Sequence, residues 1–445
     1  MATRTSTAVA ALVAGAVLLV IAATGWVGSA GSDTPADTNV GRGGSAVPDA
    51  STGDDALTQS IRAAQQRLEV EPEDFETWAV LGSAYVEQAR ISADPSYYPR
   101  AEGALERSLE LSEDGNFLAM TGLGALSNAR HDFAEAADWA RRAQEINPAG
   151  PTSWGVLADA LHQLGDYEGA TAAVQRMLDL RPGIPSFSRA SYDFEIHGRF
   201  DEARQALELG LTNASSASDI AFLRTYLGHL AFSQGDLDGA AENYQVGLER
   251  VPDEPTLLIG QARVAAARGE QDAALEGYQQ VVSARPLPEY LVEYGEYLES
   301  LGRTEEADEQ FALFEVTQQL FEANGVEDSL TVALVEANRG DPAEAVRAGE
   351  AEYELRQNVD SADALAWALH SAGRDAEALP YAEEATSIGG RNASFLYHRG
   401  VIEAALGDDD AAREHLEAAL DTNPYFSPLH APKAKEALDA LGGPR

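Results

Sequence analysis

Two small residues recur along most of the chain at a separation of 12, and no other feature constrains the fold as tightly. The first member is Gly82, Gly124, Ala158, Ser191, Gly228, Ala262, Gly295, Ala333, Ala366 or Gly400; the second is Ala101, Ala136, Ala170, Ala203, Ala240, Ala274, Ala307, Ala345, Ala378 or Ala412. Only Gly82 and Ala101 stand 19 apart, because their unit carries seven extra residues. Seven places after the first member comes a glycine in eight of the nine regular units: Gly165, Gly198, Gly235, Gly269, Gly302, Gly340, Gly373 and Gly407. A glycine there takes the left-handed conformation that ends one helix and reverses the chain. The polar residue that often follows, as in Asp166, Asp236, Glu270, Thr304 and Asp408, favours the start of a second helix. Paired small residues let the two helices approach closely. Prolines mark the exits: Pro148 to Pro182 and Pro252 to Pro286 are both 34 residues. The period is 34, and each unit is a helical hairpin that buries its apolar face only by stacking on its neighbours.

The first helix of the earliest unit reads Trp78-Ala79-Val80-Leu81-Gly82-Ser83-Ala84-Tyr85, with partial versions at Trp154 and Leu157, Leu227-Gly228 and Tyr294-Gly295. The second helices carry Ala240, Tyr244, Gly247 and Pro252, and Ala412, Leu416, Ala419 and Pro424. On these residues the sequence resembles the tetratricopeptide repeat family from about residue 56 to 441. The segments Asp94-Pro99 and Asn423-Pro428 are similar to segments of envelope-associated members. The resemblance implies an all-α, right-handed superhelical solenoid of about ten hairpins. The terminal helices Leu57–Leu68 and Lys433–Leu441 should close its open ends.

The resemblance further implies that first helices line a concave groove where peptides bind. By phase, that groove includes Asp159, His162, Thr225, His229, Phe232, Arg263, Trp367 and His370. Relatives that hold a partner's C-terminal carboxylate place Lys, Arg and Asn there; here Arg263 is nearly alone. An acidic, lightly aromatic groove suits a basic segment with an apolar anchor, for which Trp367 and Phe232 either form the hot spot or simply pack between helices. The insertion from Arg90 to Pro99, with Tyr97 and Tyr98, is either a second binding loop or a clasp over the first hairpin.

Arg4 precedes an uncharged apolar run from Ala8 to Val27, about the ~20 residues a helix needs to cross a bilayer. Residues 1–27 therefore read as an export signal or membrane anchor, with cleavage near Ala30 as the alternative, and residues 28–55 as a Gly-, Ser- and Pro-rich linker. The later chain is expected outside the membrane, in the cell envelope.

Charge and residue usage exclude most chemistry. Against 73 Asp and Glu stand 31 Lys and Arg, a net charge of −42, and the lysines are Lys433 and Lys435 alone. Nucleic acid would be repelled, and a phosphate-binding loop has no lysine in the needed context. With no cysteine there is no thiol nucleophile and no thiolate metal site. No two of the eight histidines are three or four apart, so no helix offers a paired metal site. No cofactor, metal or catalytic set is expected, and the chain reads as a non-enzymatic scaffold for protein or peptide partners. The alternatives are an accessory subunit of a transporter or enzyme that recruits cations or small solutes, and, more remotely, a hydrolase of envelope polymers. The acidity would also suit high external salt.

Overall fold

The computed structural model describes residues 52–443; the apolar run and all of the linker up to residue 51 lie outside them. Among the described residues there are 22 α-helices and no strand. Helix α1 (Thr52–Val70) begins within the expected linker and leads into ten hairpins. These are α2 (Phe75–Ser92) with α3 (Tyr98–Leu111), α4 (Phe117–Ala129) with α5 (Phe133–Ile146), α6 (Pro151–Gln163) with α7 (Tyr167–Leu180), and α8 (Ile184–Ile196) with α9 (Phe200–Asn213). Next come α10 (Ala217–Ser233) with α11 (Leu237–Leu248), α12 (Pro255–Arg268) with α13 (Gln271–Ala284), and α14 (Pro288–Ser300) with α15 (Thr304–Glu322). Then α16 (Ser329–Arg339) pairs with α17 (Pro342–Leu355), α18 (Val359–Ser371) with α19 (Asp375–Ala385), and α20 (Ala393–Leu406) with α21 (Asp409–Thr422). Helix α22 (His430–Ala440) closes the array, burying Ala434 and Leu438 in the last core. At the other end α1 buries Ile61, Ala64 and Leu68. No helix among the described residues is long and apolar enough to cross a membrane.

The paired small residues do what their spacing predicts. All ten second-helix alanines, from Ala101 to Ala412, have 0% exposure. One turn further along the same helix a large side chain presses into the place where the first-helix residue lacks a Cβ. Phe311 does so at Gly295, where an added Cβ would stand 2.6 Å from the ring, and Leu416 does so at Gly400, at 2.9 Å. The hole on one helix thus receives a knob from the other, and filling it is an overpacking change of about 1–3 kcal/mol.

Seven of the eight predicted turn glycines have φ between +72° and +83°, and His131, which takes the glycine's place in its unit, has φ +67°. Gly340 departs, with φ −107°. In the other turns the amide after the glycine bonds the carbonyl five residues back, as Asp408 does to Glu403 and Arg374 to Leu369. At Asp341 the corresponding acceptor is the side-chain Oε2 of Glu336, at 2.7 Å, so the left-handed step is not required. Asp166, Asp236 and Asp408 cap the following helices through their carboxylates; Glu270 makes no side-chain cap bond, and Thr304 lies inside its helix with Arg303 at the cap.

Stacking alone would leave an open ribbon; instead, its second superhelical turn rests on the first. The hairpin turns of the second to fifth units each meet the loop that follows the fifth unit beyond. His131 Nδ1 lies 2.8 Å from the Glu327 carbonyl. Asn358 Nδ2 donates to the Gln163 carbonyl at 2.6 Å, and the Val359 amide donates to Tyr167 Oη at 2.9 Å. Asn423 Nδ2 donates to the Phe232 carbonyl at 2.9 Å. At the intervening turn the backbones touch directly: a Cβ on Gly390 would stand 2.5 Å from the Ile196 carbonyl oxygen. The hydrogen-bonded partners are 191 to 196 residues apart, between five and six units of 34. This seam brings the later turn across the concave groove of the earlier one and leaves a partly open space between them.

Candidate functional site

That space is a cavity of about 710 Å³. One wall is built by α8, α10, α12 and α14, which present Tyr192 and Glu195, then Tyr226, His229, Phe232 and Ser233, then Arg263, then Glu293, Glu296 and Tyr297. Tyr244 of α11 and Tyr278 of α13 reach into it from the second helices. The facing wall comes from the later superhelical turn: Val359 and Asp360, the stretch Arg391–Phe395, Asn423–Pro428 and Lys435.

Tyr244 is the deepest of these groups. It is 0% exposed because Gly228 and Gly260, 16 residues before and after it, leave room for its ring; a Cβ on Gly260 would stand 2.5 Å from Cζ. Among the described residues its hydroxyl has no hydrogen-bond partner, and neither has Nε2 of His229, whose ring meets that of Tyr244 edge-on at 5.7 Å. Leaving such a buried group unpaired costs about 1–3 kcal/mol. Burial, with the Arg263 charge nearby, holds the His229 imidazole neutral, down to about 3.

The charged groups divide into paired and unpaired. Arg263 is clasped by Glu293, Nε to Oε1 at 2.7 Å and Nη2 to Oε2 at 2.5 Å, and Tyr278 donates its hydroxyl to the same carboxylate at 2.8 Å. Glu195 has only a long hydrogen bond from Ser233, at 3.4 Å, and burial pushes its carboxyl up to about 7. Burial likewise raises Asp360 to about 6, with the Arg356 charge pulling the other way.

Of the eight residues placed in the groove by phase, His229, Phe232 and Arg263 line the cavity. The other five serve the scaffold. Asp159 is held bidentately by Arg189 of the next unit, at 2.8 and 2.6 Å, and His162 Nε2 lies 3.0 Å from Asp193 Oδ1. Residues at one phase of successive first helices are lateral neighbours, so their polar groups join unit to unit. Thr225 is buried and bonds the Ala221 carbonyl. Trp367 is core and not a hot spot: it is 1% exposed, donates to Asn338 at 2.7 Å and stacks between His370 and His398. His370 contacts Asp375 at the start of α19. The insertion is the clasp: Tyr98 is buried and the Tyr97 ring lies 5.9 Å from that of Tyr85. The phase argument missed Tyr192, Glu195, Tyr226, Tyr244 and Asp360; the glycines flanking Tyr244 at equal distance were the signal available for one of them.

These features define an all-α solenoid of helical hairpins with a 34-residue period, coiled around a polar, aromatic chamber. Models of the tetratricopeptide repeat match residues 96–151, 225–287 and 364–425, and a second model of the same repeat matches 151–183. The chain is a tetratricopeptide repeat protein. Among solved structures, a tetratricopeptide repeat protein from Parabacteroides merdae is 22% identical over 58% of this chain and 99% of its own, with a TM-score of 0.36. A thermophilic relative from Thermus thermophilus is 17% identical over 47% and 97%, at 0.35. A chain of the APC/C hetero-tetramer Cut9–Hcn1 is 15% identical over 86% and 83%, at 0.39. No curated protein matches the sequence.

Proposed function

We propose that this protein is a non-enzymatic scaffold that takes a narrow segment of a protein partner into the cavity inside its coil. The supporting observation is the cavity wall, where aromatic rings surround buried polar groups that have no hydrogen-bond partner among the described residues. A partly open chamber of this size admits an extended segment or a chain end, and aromatic anchors in a desolvated pocket supply most of the binding energy in such contacts. The apolar run at 8–27 tethers the scaffold outside the membrane, in the cell envelope. A second reading, recruitment of cationic solutes for a membrane transporter or enzyme, is favoured by the unpaired carboxylates of Glu195 and Asp360.

The test is site-specific photocrosslinking in native membranes, with the crosslinker at Phe232 in the cavity and, as control, at Leu209 on the outer face, which is 51% exposed. A partner captured from Phe232 and not from Leu209 is the expected result. Capture from neither position, or from both equally, would overturn the reading.

A further inference from the structure

The wall formed by α8, α10 and α11 carries three acceptors with few or no donors among the described residues. Glu195 of α8 makes no ion pair among the described residues, and its one hydrogen bond is the long one from Ser233. One helical turn before Ser233 stands His229, whose Nε2 is unpartnered, and against that ring lies Tyr244, whose fully buried hydroxyl is unpartnered too. A carboxylate, a neutral imidazole and a phenol can all receive hydrogen bonds. The rings of Tyr192 and Tyr226 line the same stretch, and aromatic faces attract cations once water is removed.

The cations already present do not meet this need. Arg263 is neutralised by its two-pronged pair with Glu293. Arg391 and Lys435 belong to the facing wall, on the later superhelical turn, and are exposed. On the wall formed by α8, α10 and α11 itself no cation is among the residues that line the cavity. Asp360, on the opposite side and within electrostatic reach of Tyr192 together with Glu195, adds a second carboxylate that no ion pair offsets.

We infer that the cavity binds an organic cation, an ammonium or guanidinium group on an apolar stem, held by Glu195, His229 and Tyr244. The charged end donates to the three acceptors and the stem lies among the tyrosine and phenylalanine rings. The group is either a lysine or arginine side chain of a bound segment or a free amine; both have the same chemistry at this wall. This inference rests on the reading of the cavity as the binding surface.

Calorimetry on the full chain at pH 8, in enough salt to screen the outer charge, uses three probes: n-butylammonium, a short capped peptide with one lysine, and butyrate. Saturable binding of either cation and none of butyrate is expected. The amine alone binding points to a solute, and the peptide binding more tightly than the amine points to a protein segment; either supports a cation site. Glu195→Gln should weaken binding by about 30-fold or more, the loss for removing one partner of a buried charge pair. Lowering the pH to 6 should weaken it as well, because Glu195 then takes up a proton. Tyr244→Phe, which removes one hydroxyl, should cost severalfold and keeps the test open should E195Q fail to fold. Absence of saturable cation binding, equal binding of butyrate, or unchanged affinity in folded E195Q and Y244F would overturn the inference. Were the Phe232 crosslink to persist through such a failure, the partner-binding reading would stand and only the cation assignment would fall.

Discussion

Replacing Gly390 by alanine tests whether the two superhelical turns rest on one another. Gly390 lies outside the left-handed region, so the new methyl group brings no backbone strain; its cost comes from the seam alone. The Cβ would stand 2.5 Å from the Ile196 carbonyl oxygen, and ordinary contact begins at 3.4 Å. The loop and the turn must therefore part by about 0.9 Å, or pay an overpacking cost of about 1–3 kcal/mol. A displacement of that size stretches the neighbouring Asn358–Gln163 and Asn423–Phe232 hydrogen bonds, at 2.6 and 2.9 Å, past useful length. Hydrogen exchange supplies the assay. The Val359 amide is the first of its helix and bonds only Tyr167 Oη across the seam; its protection should fall in Gly390→Ala. Gly302→Ala is the control, since Gly302 has φ +73° but nothing within 4 Å. It should lose about 1–2 kcal/mol to the left-handed alanine and leave Val359 protected. Equal exchange at Val359 in the wild type and G390A, in a folded protein, would refute the stacked-turn architecture.

Tyr244→Phe should raise unfolding free energy by about 1 kcal/mol, because it removes a buried hydroxyl without a partner; a loss of that size in denaturant melts would show that the hydroxyl is satisfied. His430 is 0% exposed, neither ring nitrogen is hydrogen-bonded, and burial, followed by the nearby His398 and Lys433 charges, holds its pKa well below 6.5. The unfolded chain then binds a proton that the folded one refuses, so stability falls as pH drops below about 6.5, at up to ~1.4 kcal/mol per unit. Glu195 and Asp360, raised to about 7 and about 6, act in the opposite sense, so the comparison is wild type against His430→Gln between pH 7 and 5; parallel curves would refute the assignment. With a net charge of −42, melting temperature should rise between about 0.05 and 2 M salt as repulsion is screened, and a flat profile would count against charge as the limiting term.

Local pattern carried the hairpins, and it could do so because each depends on residues within one period. Ala240 and Gly228 meet through a turn of fixed length, so their spacing is a direct image of the packed pair. The seam is different. His131 could be recognised as standing in the glycine's phase, yet nothing near it in sequence points to Glu327, 196 residues away. Phase assigned Trp367 and Arg263 to one concave surface, but each inward side chain is shaped by its lateral neighbours. Asn338 and two histidines draw Trp367 into the core, while Glu293 holds Arg263 at the cavity wall.

The seam and the cavity are one property seen from two sides. On an open ribbon Glu195 and Asp360 would face water and keep ordinary carboxylate behaviour. Burial between the two turns raises both, so each carboxyl is either protonated or offset by a cation. Most hydrogen bonds that hold the turns together are between neutral groups, through Asn358, Asn423 and Tyr167; the Arg356 guanidinium adds one charged donor, to Gln163 Oε1 at 3.0 Å, within a strongly acidic chain. A ligand that binds only the closed coil must therefore tighten the seam by RT ln(1 + [L]/Kd), and whatever opens the seam must weaken the ligand by the same free energy. Occupancy of the chamber and closure of the coil are thus linked quantities, although the residues that set them lie on different units and share no contact in sequence.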